Sequence, residues 1–169
     1  MMGRKWADRM IDTDALLLIA HNANEEGDFD RARKCYEQGA KLGDAQCLQS
    51  LAYMYDVGKG VDEDKKLAMA LYRKAWRKGS HAAASNIAIL YREQGKHRTM
   101  FRWFERMAVA GDGSAQLDLA KCYLSGLGVR KNPQAALRCL NTAVSSFYIS
   151  ESEREEAQAL QAELAPRSV

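Results

Sequence analysis

The sequence predicts an all-α chain, an α/α superhelical solenoid of about four helix-turn-helix repeats with a C-terminal capping helix. Three observations predict it. Apolar residues recur at i, i+3, i+4 and i+7, as in Leu48, Leu51, Ala52 and Tyr55, and again in Ala84, Ile87, Ala88 and Tyr91. The stretch "YDVGKGVDEDKKLAMALYRKA" (55–75) returns 68 residues later as "YLSGLGVRKNPQAALRCLNTA" (123–143). Tyr55/Tyr123, Gly58/Gly126, Gly60/Gly128, Val61/Val129, Ala68/Ala136 and Ala75/Ala143 coincide, and such self-similarity marks stacked repeats. No segment sustains the alternation of a strand, and the 169 residues include only two prolines.

The elements follow in order as one domain over 1–169, with repeats at about 14–44, 45–80, 81–112 and 113–146 and a capping helix at about 150–164. Anchors of the first helices are Ile19, Leu51, Ile87 and Leu119, spaced 32, 36 and 32. Those of the second helices are Tyr36, Tyr72, Phe104 and Leu140, spaced 36, 32 and 36. Each first-helix anchor precedes an alanine (Ala20, Ala52, Ala88, Ala120), where only a small side chain lets two helices cross closely. Two turn types explain the two spacings. Repeats one and three turn through Gly27 and Gly95, whereas two and four use a GxGV loop four residues longer. Asp64 and Asn132 are placed as N-caps, with Pro133 at the first helical position. The last helix opens on a Ser150…Glu153 capping box and carries an apolar stripe of Ala157, Leu160 and Leu164.

The Gly58-Lys59-Gly60 core is not a phosphate loop. Its lysine becomes Leu127 in the second copy, and the GxxxxGK[ST] frame after an apolar strand is missing. The N-terminal "MMGRKWADRMIDTDALLLIAHN" reads as the start of the first helix, because its apolar run, 15–20, is too short for a secretory signal. With no stretch suited to a membrane span, a cytoplasmic protein is expected. Cys35, Cys47, Cys122 and Cys139 lack CxxC spacing and clustered histidines, so reduced thiols are expected rather than zinc.

The residues also carry a resemblance. Segments 43–79 and 111–143, with their L-A-x-x-Y-x-x-G-x-G-V core, resemble Sel1-like repeats. The first unit, "EEGDFDRARKCYEQGAKLGD" (25–44), is similar to the sister tetratricopeptide repeats, as is the more degenerate third; together the resemblance spans about 14–146. It implies an α/α solenoid whose first helices line a concave face used as a protein-interaction adaptor. Some relatives staple neighbouring repeats with a disulfide; here Cys47 fits one position but Ala40 stands at the other, so no staple is expected.

Catalysis is not expected. None of His21, His81 and His97 has a nucleophile or carboxylate at a spacing that suggests an assembled site, and no cofactor or metal is called for. The expected function is a non-enzymatic interaction module holding a protein or peptide in its concave groove. Groove positions flanking the close-packed alanines are Leu17, His21, Gln49, Tyr53, Ile89, Leu117 and Lys121, with Arg92 and Leu124 one turn further along. An alternative of the same class is a dedicated inhibitor or chaperone, such as a toxin-immunity or secretion-adaptor protein. The net charge of +3 is concentrated at 92–106, where five Arg/Lys face two glutamates around Phe101, Trp103 and Phe104. A nucleic-acid-binding regulator is the weaker reading of that short stretch, and an acidic protein partner the better one.

Overall fold

The computed structural model describes residues 12–164, and every regular element among them is a helix. These are α1 (Thr13–Glu25), α2 (Phe29–Leu42), α3 (Ala45–Val57), α4 (Lys65–Arg77), α5 (His81–Glu93), α6 (His97–Val109), α7 (Gly113–Ser125), α8 (Pro133–Ser145) and α9 (Glu151–Leu164). The chain divides between Ala84 and Ser85, in the first turn of α5, into two compact units. In the first, α1 packs on α2, α2 on α3, and α3 on α4. In the second, α6 packs on α7, α7 on α8, and α9 on both α8 and α7. Residues 1–11, where the first helix was expected to start, lie outside the described residues.

The helix starts are set locally. The carboxylates of Asp28, Asp44, Asp64 and Asp112 each accept the N–H three residues on, from Arg31, Cys47, Leu67 and Ala115, and the Asn132 amide oxygen does the same for Ala135. Each such cap is worth about 1 kcal/mol. The Ser150 N–H donates to Glu153 Oε2 at 3.0 Å, the Glu153 N–H donates back to Ser150 Oγ at 3.3 Å, and the capping box is complete.

Close-packed alanines make the hairpins possible. Ala20, Ala52, Ala88 and Ala120 are all 0% exposed, and the second-helix anchors Tyr36, Tyr72, Phe104 and Leu140 are buried. One anchor departs from expectation: Ile19 is 40% exposed, while Leu51, Ile87 and Leu119 are buried. Leu51 and Leu119 lie on helices backed by α2 and α6, the second helices of preceding hairpins. Among the described residues no helix backs α1 in that way.

A polar cluster ties the α3–α4 hairpin. Asp56, buried at the end of α3, accepts from the Tyr72 hydroxyl at 3.1 Å and from Lys65 Nζ at 2.7 Å. Sixty-eight residues on, the three positions are Leu124, Pro133 and Leu140, and Leu124 packs against the apolar cluster that contains Leu140. The same hairpin is thus closed once by a satisfied polar set and once by apolar contact. Replacing only part of such a set is what costs stability. All four cysteines are free. At the α2–α3 crossing Cys47 is fully buried over Gly39, and burial pushes its thiol up to about 12.

Candidate functional site

In the first unit α1 and α3 enclose a depression of about 550 Å³ lined by Asp14, Leu17, Leu18, His21, Gln46, Gln49 and Ser50. Helical geometry explains the set: 14, 17, 18 and 21 form one face of α1, and 46, 49 and 50 form the equivalent face of α3. Tyr53, one turn beyond Gln49 on that face, is 49% exposed, and Leu18 is 62% exposed. Gln49 Oε1 is fixed by the Ser80 hydroxyl, which donates to it at 2.7 Å. His21 Nε2 lies 3.5 Å from Glu25, both well exposed. Three expected positions, Leu17, His21 and Gln49, thus line one concavity, and a fourth, Tyr53, follows Gln49 one turn along α3. Sequence reasoning missed Asp14, Leu18, Gln46 and Ser50, although their 32-residue offset from α1 to α3 matches that of the ladder.

The second unit arranges its ladder differently. Leu117, expected to point into a groove, is 2% exposed and sits in a core cluster with Ala120, Leu140 and Ala157. The reason is α9, which lies across α7: Glu153 accepts from the Ser114 hydroxyl at 2.9 Å, and Glu156 pairs with Lys121 at 2.7 Å. Lys121 is thus engaged within the chain. Leu124 also turns inward, onto the same apolar cluster, because its register faces the second helix as Asp56 does. Ile89 is half-buried and Arg92 exposed. Among the described residues no group of three His, Cys, Asp or Glu side chains could hold a metal ion. No described helix is long and apolar enough to cross a membrane.

On α7, burial pushes the Asp118 carboxyl up to about 6, even though Lys121 and Arg92 draw it down; Glu153 and Asp112 reinforce the rise. Because its folded value lies above the ordinary 3.8, Asp118 binds a proton more tightly in the folded state. Its contribution to stability is full at low pH and is lost as pH rises through about 6. Asp118→Asn is therefore expected to raise Tm at pH 7.5 by about 2–4 °C, the equivalent of about 1 kcal/mol after allowance for partial exposure. At pH 3, below both values, the two proteins should melt together. A calorimetric scan at both pH values checks it, and a less stable variant at pH 7.5 would contradict it.

The aromatics of the basic stretch do not offer stacking surfaces. Phe101, Trp103 and Phe104 are only 6–7% exposed, and the Arg106 guanidinium covers the Trp103 ring at 4.8 Å.

Comparison with known proteins agrees with this architecture. The Sel1 repeat model matches residues 23–44, 45–80 and 113–146. The "Exopolysaccharide production negative regulator" of Rhizobium meliloti is 27% identical over 147 residues, covering 76% of this chain and 55% of its own length. A Sel1 repeat protein from Oxalobacter formigenes superposes with a TM-score of 0.75 at 24% identity, covering 94% of this chain and 66% of that one. A protective antigen of uropathogenic Escherichia coli, described as displaying an SLR fold, gives 0.71 at 25% identity over 90% of this chain and 33% of the antigen. The chain thus spans about half the length of the curated regulator it matches.

Proposed function

The chain belongs to the Sel1 repeat family, whose repeats generally mediate protein–protein interaction, and from that premise we infer that it is a non-enzymatic module binding a protein segment or peptide in the α1–α3 depression. One observation carries this reading: a concavity of about 550 Å³ combines exposed Leu18 with the side-chain amides of Gln46 and Gln49, and exposed Tyr53 follows Gln49 one turn along α3. A peptide needs both kinds of contact. Its side chains seek apolar surface, and its main chain presents donors and acceptors that an amide can match. Tyrosine adds large contact area with little rotamer entropy to lose. The four free thiols suit a reducing compartment, so the cytoplasm is the proposed location. Negative regulation by occupying a partner is the favoured role, because the Rhizobium relative is named as a negative regulator.

The test uses Tyr53→Ala, Leu18→Ala, two exposed positions whose truncation opens no cavity. Both proteins are used as baits for affinity purification with mass spectrometry. The double variant should keep its helical signal and its Tm within about 2 °C while losing the principal partner. Retention of that partner at wild-type abundance would overturn the reading.

A further inference from the structure

The two GxGV loops dock in the same way on the second helix of the preceding repeat, yet they carry opposite charge. In the first unit Gly60 lies against Phe29 at the start of α2; a Cβ there would be 2.9 Å from the Phe29 Cγ. In the second, Gly128 lies against the His97 main chain at the start of α6, at the equivalent position 68 residues on. Around the first loop the charges neutralise one another. Arg33 binds Asp30 at 2.7 Å and Glu37 at 2.6 Å, Lys34 binds Asp30 at 2.6 Å, and Asp62 adds a further carboxylate in the loop.

Around the second loop that arrangement is gone. Asp30 and Asp62 correspond to Arg98 and Arg130, and Arg33 to Phe101. Arg98, Arg102 and Arg130 then surround a pocket of about 600 Å³ with Phe101 and Val129 as apolar lining and Glu105 as its one acid. Among the described residues no hydrogen bond or ion pair engages these three guanidinium groups. The fold does not need the basic charge, since the same loop docks in the first unit with acids at both reversed positions.

We propose that this pocket is the docking site for an acidic segment of a protein partner, a short peptide bearing carboxylates on either side of an apolar residue. Guanidinium groups match carboxylates in planar, two-pronged contacts, and the apolar lining receives the residue between them. The net excess of positive charge selects an anionic partner and speeds its approach. A nucleic acid fits less well, because Phe101 and Trp103 are buried and cannot stack on bases. This surface is independent of the α1–α3 depression.

The experiment measures fluorescence anisotropy of a labelled peptide, Glu-Glu-Leu-Asp-Glu-Glu, against the full chain, with the Gln/Asn counterpart as control. The wild type should bind the acidic peptide and not the amide version. Arg98→Asp, Arg130→Asp restores the acidic character of the first unit at both reversed positions; it should weaken binding at least about tenfold while leaving the helical signal and Tm unchanged. Tyr53→Ala, Leu18→Ala should leave peptide affinity unchanged, which separates failure of this proposal from failure of the depression reading. Equal affinity for the two peptides, or an undiminished charge-reversed variant, overturns it. So does tighter binding of a single-stranded oligonucleotide, or self-association of the chain that the same substitutions remove.

Discussion

Gly128→Val is expected to unfold the second unit, at a cost of about 4 kcal/mol or more. Gly128 has φ +78°, and a Cβ there would lie well inside van der Waals contact distance of the His97 carbonyl oxygen, 2.6 Å from its carbonyl carbon and 3.1 Å from the Arg98 nitrogen. All three atoms are main chain of α6, so no rotamer change relieves the contact. The left-handed conformation adds about 1–2 kcal/mol for any side chain. Gly111→Ala is the matched control. It shares the positive φ, at +91°, but nothing lies within 4 Å of the added Cβ, so it should lose only about 1 kcal/mol. Urea denaturation followed by circular dichroism separates the two. Equal losses would show that the loop does not approach α6 as described.

Asp56→Ala should be the next most damaging change, at about 2–4 kcal/mol. It removes at once an acceptor of the Tyr72 hydroxyl and a partner of the Lys65 ammonium, in a site where Asp56 is 8% exposed. The second unit supplies the remedy. Asp56→Leu, Lys65→Pro, Tyr72→Leu transplants the apolar set of Leu124, Pro133 and Leu140, and proline is well placed because residue 65 is the first of its helix, directly after the Asp64 cap. This triple variant is expected to recover at least half of the loss measured for Asp56→Ala in the same denaturation experiment. A triple variant no more stable than the single one would show that the two hairpins are not interchangeable at these positions.

The repeats, their registers and the caps were legible in the sequence because each rests on contacts between residues a few positions apart. Asp64 reaches the N–H of Leu67, Asn132 that of Ala135, and Ser150 that of Glu153. A cap needs only the right side chain beside free N–H groups. The small residue at each helix crossing was equally plain, since Ala20, Ala52, Ala88 and Ala120 recur in step with the larger anchors. The candidate site was only half legible. Leu17, His21 and Gln49 line the α1–α3 depression and Tyr53 lies one turn beyond Gln49, while Leu117, the repeat equivalent of Gln49, lies in a core, and Leu124, the equivalent of Asp56, packs against it.

By itself the sequence determined the secondary structure, the hairpins and the family, all of them consequences of local periodicity and turn chemistry. Only the tertiary structure decided what each equivalent position faces. Ile19 is exposed where Leu51 is buried, because α2 backs α3 and no described helix backs α1 in that way. Leu117 is buried and Lys121 ion-paired because α9 lies over them. Arg98 and Arg130 share a pocket although 32 residues separate them. A repeat fixes the direction in which a side chain leaves its helix; whether that direction meets solvent, a charge or another helix depends on the neighbour packed there, which local spacing does not encode.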